Sequence, residues 1–152
     1  MGTLLLAGLL WAEPGEQAAL QERRHLIRLG AWAGTSALGG TVILVAGRKD
    51  PFYRHLGIQS IGWSLINGAI VAASWKGTEE AKTAEQRAWS REFVNLNLGL
   101  DVAYMGVGIT LTWTGLQEPQ RRGLAGAGLG ISIQGAALLI LDAILLAQYP
   151  KP

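Results

Sequence analysis

Four apolar stretches dominate this sequence, and each is long enough to cross a lipid bilayer, which takes about 20 consecutive apolar residues. They cover residues 26–47, 56–75, 93–116 and 123–149. The first is uncharged from residue 29 onward, as is the whole second, whereas the third and fourth carry one charge each, Asp101 and Asp142. Soluble helices of this length show a charged face at helical spacing. The pattern therefore predicts an all-α integral membrane four-helix bundle over residues 16–150.

The connections between the stretches are polar and predict an up-and-down arrangement. Residues 47–51 and 117–123 form two tight turns, and Pro51 blocks continuation of the first helix. Residues 76–92 are rich in good helix formers and predict a surface helix that runs into the third span. With four spans, this long connection lies on the same side as both chain ends. We call that side A, and the side of the two tight turns side B.

Residues 1–15 are predicted to form a separate N-terminal apolar segment, either signal-like or interfacial. Its first 12 residues have the short apolar core of a secretory signal, but no basic residue precedes that core. Lysine and arginine counts in the loops place side A in the cytoplasm, whereas a cleaved signal would place it outside. The sequence leaves the orientation open.

Charge and residue usage exclude several classes of function. The formal net charge is only +2, too small for a broad basic face that binds nucleic acid. The chain has no cysteine, which excludes disulfides, thiol nucleophiles, thiolate metal sites and covalently attached haem. The first span separates its two histidines, His25 and His55, so they cannot share a metal or haem. No cofactor is predicted, and each histidine is expected to extend toward the membrane surface.

Weak internal similarity suggests a repeated helical hairpin. Aligning the last two spans with the first two pairs Gly39 with Gly108 and Asn67 with Asp142. Such a repeat would give both hairpins the same orientation, related by an axis along the membrane normal. Chance similarity in a chain rich in glycine and leucine is the alternative.

Three stretches of the sequence resemble the recurring motifs of an uncharacterised family of small bacterial four-helix membrane proteins, known only as a domain of unknown function. They are GAWAGTSALGG, NLGLDVAYMGVG and SIQGAALLILD, and the similarity covers roughly residues 24–148. Members of that family commonly begin with a clear signal peptide, whereas the first residues here lack the basic part. The resemblance implies a multi-pass protein of the bacterial inner (cytoplasmic) membrane and implies no activity.

The two acids in the third and fourth spans are the strongest signals of a functional site. A carboxylate at the centre of a membrane helix costs about 2.5–3.5 kcal/mol on insertion scales, so each should face the bundle interior with a partner. The helical rise places Asp101 and Asp142 at similar depth near side A, together with Asn67. Arg28 is the cation expected to pair with one of them. The predicted intramembrane polar core comprises Arg28, Asn67, Asn97, Asp101, Tyr104, Gln134 and Asp142.

Two interpretations of this core stay open. It is either structural, with an Arg–Asp pair and amide hydrogen bonds that fix helix register, or it forms an ion or proton path. Pairs of glycines four residues apart predict close helix packing. These pairs are Gly30 with Gly34 and Gly126 with Gly130.

The function expected from these features is that of a non-catalytic accessory or scaffolding subunit of a larger membrane complex. The chain has small-residue helix faces, almost no soluble domain and no catalytic constellation, so we expect no enzyme activity. Its partners would be the lipid bilayer and other membrane protein subunits, and no nucleic acid. One alternative is a small transporter or channel that uses Asp101 and Asp142. A further alternative is a pigment- or haem-binding membrane protein that uses a single histidine.

Overall fold

Four long helices form the part of the chain that the structure describes, residues 13–151 of a computed structural model. They are α1 (Pro14–Ala46), α2 (Pro51–Ser74), α3 (Ala84–Gln117) and α4 (Arg122–Gln148), with single 3-10 turns at Trp75–Thr78 and Pro119–Arg121. All four are long and apolar enough to cross a membrane. The predicted all-α bundle of four membrane-spanning helices is therefore confirmed. The predicted N-terminal apolar segment lies almost wholly outside the described residues.

Two of the helices begin well before the spans predicted from hydropathy. α1 starts at Pro14 rather than near residue 26, and α3 starts at Ala84 rather than near residue 93. Proline at a first helical position loses no hydrogen bond, and Thr83 and Gln86 form a reciprocal capping box at the start of α3. With 33 and 34 residues, these helices are about 50 Å long, whereas the hydrocarbon core is about 30 Å thick. Their charged first turns therefore project beyond the hydrocarbon on side A.

The helices pack as two hairpins, α1 with α2 and α3 with α4, which join along α2 and α4. α1 and α3 make few contacts with each other, and near side A Ala18 and Val94 belong to one buried cluster with Leu145 and Tyr149. On side B, Asp50 links the two tight turns because its Oδ2 lies 3.0 Å from Nη2 of Arg122. Asp50 also accepts a hydrogen bond from the backbone N–H of Phe52 at the start of α2. This bond and the Arg122 guanidinium hold the pKa of Asp50 below its ordinary value.

Glycines permit the closest helix crossings. A Cβ added to Gly128 in α4 would lie 2.5 Å from the backbone nitrogen of Thr112 and 2.6 Å from the carbonyl oxygen of Gly108 in α3. One added to Gly40 in α1 would lie 2.8 Å from the Cβ of Ser60 in α2. Real Cβ atoms do not come this close to their neighbours, so the backbones approach each other only because these side chains are absent.

The predicted packing glycines of α4 lie at such a crossing, against α2. A Cβ on Gly126 would collide with the carbonyl oxygen of Phe52, and one on Gly130 would lie 2.7 Å from the Cβ of Gln59. These two positions allow α2 and α4 to form the central seam of the bundle.

The other predicted pair, in α1, requires a correction. A Cβ on Gly34 would meet no described atom within 4 Å, and the nearest described atoms to one on Gly30 are the methyl carbons of Val71, at 3.9 Å. The inward face of α1 carries Ala33, Ser36 and Gly40 instead. The spacing of two glycines does not reveal which helix face they occupy: Gly34 faces away from the core, and Gly30 is half-buried without a close crossing.

The two hairpins cross through similar contacts. Gly40 approaches Gly57 in the first hairpin, and Gly108 approaches Ser132 in the second. These pairs are nearly equivalent under the alignment that suggests the repeat. The repeated hairpin stays a prediction.

Replacing Gly128 with alanine is expected to lower the free energy of unfolding by about 1–3 kcal/mol, because the added methyl group overpacks the α3–α4 crossing. Gly34→Ala is the matched control, since its methyl group has room and alanine favours a helix over glycine by about 1 kcal/mol. Both changes can be measured by denaturant titration in detergent micelles with tryptophan fluorescence. Equal losses of stability in the two variants would contradict the described crossing.

Candidate functional site

A cavity of about 590 Å³ lies in the side A half of the bundle. Residues from all four helices line it, and its volume is within the range of about 300–1,000 Å³ that is usual for small-molecule sites. The predicted core residues that line it are Asn67, Asn97, Asp101, Tyr104 and Asp142. α1 contributes lining residues only from its first half.

His25 is the group that faces Asp142. Its Nε2 atom lies 3.4 Å from Oδ1 of the carboxylate, and the two side chains are 13% and 9% exposed. Asn97 offers its amide to the same carboxylate, and Asp101 is the neighbouring acid. His25 was expected to extend toward the membrane surface, and the structure places it instead on the cavity wall. Binding of a haem or pigment through a single histidine stays a prediction.

Arg28 does not pair with either buried acid among the described residues. Its Nη2 atom donates to Oε1 of Gln148 at 3.3 Å. Helical side chains point toward the N-terminus of their helix, so this long side chain extends toward side A and leaves Asp142 to the shorter imidazole. The expected Arg28–carboxylate pair is therefore corrected to a His25–Asp142 pair.

Gln134 also lies outside the cavity, and it joins α4 to α1. Its Oε1 accepts a hydrogen bond from Nε1 of Trp32 at 2.7 Å, and its Nε2 donates to Oγ of Ser36 at 3.1 Å. These bonds satisfy a polar side chain that is almost completely buried. Gln134 therefore holds helix register and is not part of the lining.

Three residues that line the cavity, Asn67, Asp101 and His25 (at Nδ1), carry a buried polar atom without a hydrogen bond to a described residue. Asn67 is 1% exposed and Asp101 is 3% exposed. Among the described residues, Nδ2 of Asn67 and Oδ2 of Asp101 make no hydrogen bond. An unmade hydrogen bond of this kind costs about 1–3 kcal/mol. The cost points to a bound group that satisfies both atoms.

Aromatic side chains close the deep end of the cavity. The rings of Trp63 in α2 and Tyr104 in α3 meet edge to face, with centroids 5.2 Å apart. Beyond them, toward side B, α3 and α4 pack backbone to backbone at Gly108 and Gly128. The cavity is thus closest to side A and is blocked toward side B.

Glu22 joins four segments of the chain above the cavity. Its Oε1 accepts hydrogen bonds from the Tyr149 hydroxyl at 2.7 Å and from Oγ of Ser90 at 3.0 Å. Its Oε2 lies 3.0 Å from Nζ of Lys82. The sequence did not reveal this cluster, because Glu22, Lys82 and Ser90 precede the apolar stretches and Tyr149 is the last residue of one. Their one signal was an acid, Glu22, on the same helix face as His25.

The described residues contain no group of three or more histidines and acids placed to hold a metal ion. The cavity chemistry is instead that of three carboxyl groups, one ammonium group, one imidazole and two carboxamides in a largely apolar lining. Such a set binds ligands by charge and hydrogen bonding.

His25→Phe, which keeps an aromatic ring of similar size, is expected to lower the free energy of unfolding by about 1–3 kcal/mol because Asp142 loses its partner. Arg28→Met keeps the length of the other candidate partner and should cost less than about 1 kcal/mol, since it removes one exposed hydrogen bond. Thermal or denaturant unfolding in micelles measures both. A larger loss of stability for Arg28→Met than for His25→Phe would contradict the His25–Asp142 pair and would indicate that Arg28 is the partner of the buried acid.

Comparison with known proteins identifies a family for this chain. Residues 28–143 match the family described as "Family of unknown function (DUF6992)". The matched range includes Asn67, Asp101 and Asp142, while Glu22 and His25 precede it and Leu145 follows it. No curated protein and no solved structure matches the chain. The chain, as its three motifs indicated, belongs to the DUF6992 family of unknown function.

Proposed function

We propose that this protein is a non-catalytic accessory or scaffolding subunit of a larger complex in the bacterial inner membrane. The observation that carries the proposal is a set of glycines that face away from the bundle. They are Gly34 and Gly39 in α1 and Gly99 and Gly106 in α3, all exposed. A Cβ added to any of them would meet no described atom within 4 Å.

These outward glycines have no internal packing role. Glycine costs about 1 kcal/mol relative to alanine inside a helix, and at Gly128 a close crossing offsets that cost. In a bilayer, small residues on an outer face allow a second helix to approach closely. A helix of a neighbouring subunit would pack closely against the outward glycines, as α3 packs against Gly128.

The outer face of α3 carries a second feature that fits a partner helix. Asn95 is exposed one turn before Gly99, on the same face as Gly106. A carboxamide near the hydrocarbon favours a hydrogen bond to another helix. The hydroxyl of Thr110 on this helix donates to its own backbone, to the carbonyl of Gly106. The face therefore offers contacts for packing rather than groups for catalysis.

Substitution and cross-linking at α3 test the proposal. Gly106→Leu should leave the monomer folded, because the new side chain has room, but should release the protein from a larger assembly on native gels of solubilised membranes. Since the chain has no cysteine, Gly106→Cys and the exposed control Ile140→Cys give single-site cross-linking. We expect a defined adduct from position 106 and none from position 140. A wild-type protein that migrates alone would contradict the proposal.

A small transporter or channel is the second candidate, favoured by the placement of Asp101 and Asp142 on one cavity wall. The close crossings toward side B mean that transport would require the helices to open there. In this case Asp101→Asn should abolish cation or proton flux in proteoliposomes, because the charge at that depth is lost. Glu118→Gln, which removes an exposed acid on side B, should leave the flux unchanged. Wild-type vesicles without flux would exclude this candidate.

A further inference from the structure

We infer that the side A cavity binds an amphipathic amine. This ligand carries an ammonium group, an oxygen acceptor close to it and an apolar body, and it enters from the bilayer between α2 and α3. This inference does not depend on the accessory role proposed above. It rests on the charged side chains that line the cavity, on the unpartnered atoms of Asn67 and Asp101, and on the apolar residues at the cavity mouth.

The cavity carries negative charge that the chain does not neutralise. Three acids, one lysine and one histidine line it, and two of these five side chains, Glu22 and Lys82, form an ion pair with each other at 3.0 Å. His25 faces Asp142. Asp101 is left without a cationic partner among the described residues, and its Oδ2 is unbonded. A ligand with one positive charge complements this set.

The unpartnered atoms of Asn67 and Asp101 specify hydrogen-bonding groups on the ligand in addition to its charge. Oδ2 of Asp101 accepts a hydrogen bond, which an ammonium group donates and strengthens by its charge. Nδ2 of Asn67 donates one, so it requires an oxygen acceptor on the same ligand. Both side chains are more than nine-tenths buried and line the same cavity. A hydroxyl, carbonyl or phosphate oxygen close to an ammonium group satisfies both.

Aromatic rings add a second attraction for a cation. Trp63 and Tyr104 line the deep end of the cavity, and Trp89 and Phe93 line it nearer to side A. The face of an aromatic ring attracts an ammonium group electrostatically. Carboxylate and aromatic side chains together favour an amine over a neutral or anionic ligand.

The mouth of the cavity is apolar and faces the bilayer. Ile66 and Ile70 of α2 and Phe93 and Leu100 of α3 line the cavity and are also about half exposed. α2 and α3 make few contacts with each other, so the gap between them lies open to lipid chains. The apolar body of the ligand would occupy this gap while its polar head reaches Asp101.

Binding of 2-(dodecylamino)ethanol to the purified full-length protein in dodecyl maltoside tests the inference. This probe carries an ammonium group, a nearby hydroxyl and an apolar chain. Calorimetric titration should give the same Kd for the wild type and for Glu118→Gln, a matched loss of charge on side B. Asp101→Asn keeps the shape of the side chain and removes its charge, and it should weaken binding about tenfold or more. Asn67→Leu should remove the preference for this probe over dodecylamine, which has no hydroxyl.

The neutral analogue dodecanol gives a test that needs no variant. The wild type should bind it at least about tenfold more weakly than 2-(dodecylamino)ethanol, because it lacks the ammonium group. Equal binding of the two probes by the wild type, or an unchanged Kd in Asp101→Asn, would overturn the inference. Gly106→Leu should bind the probe normally, so loss of the assembly and loss of the ligand are distinguishable results.

Nanodiscs distinguish the two sources of such an amine. If phosphatidylethanolamine weakens probe binding relative to phosphatidylglycerol alone in the wild type, and this difference disappears in Asp101→Asn, a lipid headgroup supplies the ammonium. If phosphatidylethanolamine has no such effect while the probe still binds, a free amphipathic amine is the ligand.

Discussion

Hydrocarbon contains no hydrogen-bond partner, and this constraint explains the arrangement of nearly every polar group in the bundle. Gln134 is satisfied by Trp32 and Ser36, and Asp142 faces His25. Threonine hydroxyls on the lipid-facing surface bond to their own helix. The unbonded atoms of Asn67 and Asp101 are among the exceptions, and both residues line the cavity, which is therefore the candidate site of function.

The same bundle explains why the cavity exists at all. The glycine crossings at Gly40, Gly108, Gly126 and Gly128 lie in the middle and in the side B half of the membrane. Toward side A, α3 and α4 still approach each other at Gly135, where an added Cβ would lie 2.8 Å from the carbonyl oxygen of Asp101. α2 and α3, in contrast, make few contacts with each other. Glu22 joins α1 to Ser90, Tyr149 and Lys82 on this side, and the cavity occupies the space between these elements.

The fold could be predicted from the sequence because bilayer thickness and helix rise are fixed quantities. The helical extension before the third span could be predicted as well, because residues 76–92 are rich in helix formers, but the separate 3-10 turn at Trp75–Thr78 and the start of α3 at Ala84 could not. Helix rise also places Asp101 and Asp142 at similar depth, and both line one cavity. Helix rise gives the depth of a side chain but not its direction, so it could not show that His25 rather than Arg28 faces Asp142. Nor does spacing determine a face: Gly40 packs inward, whereas Gly34 looks outward.

Because the lateral gap between α2 and α3 opens to lipid, the ligand concentration that determines occupancy of the site is the concentration in the bilayer. A molecule that enters through an apolar mouth reaches the site from the lipid phase, after it has partitioned out of water. Each additional methylene then raises its local concentration through partitioning, by about 0.8 kcal/mol per buried CH₂, even if the methylene touches nothing in the cavity. Occupancy would follow the amount of ligand per lipid rather than per volume of water, and a hydrophilic competitor with the same head group would have little access to the site.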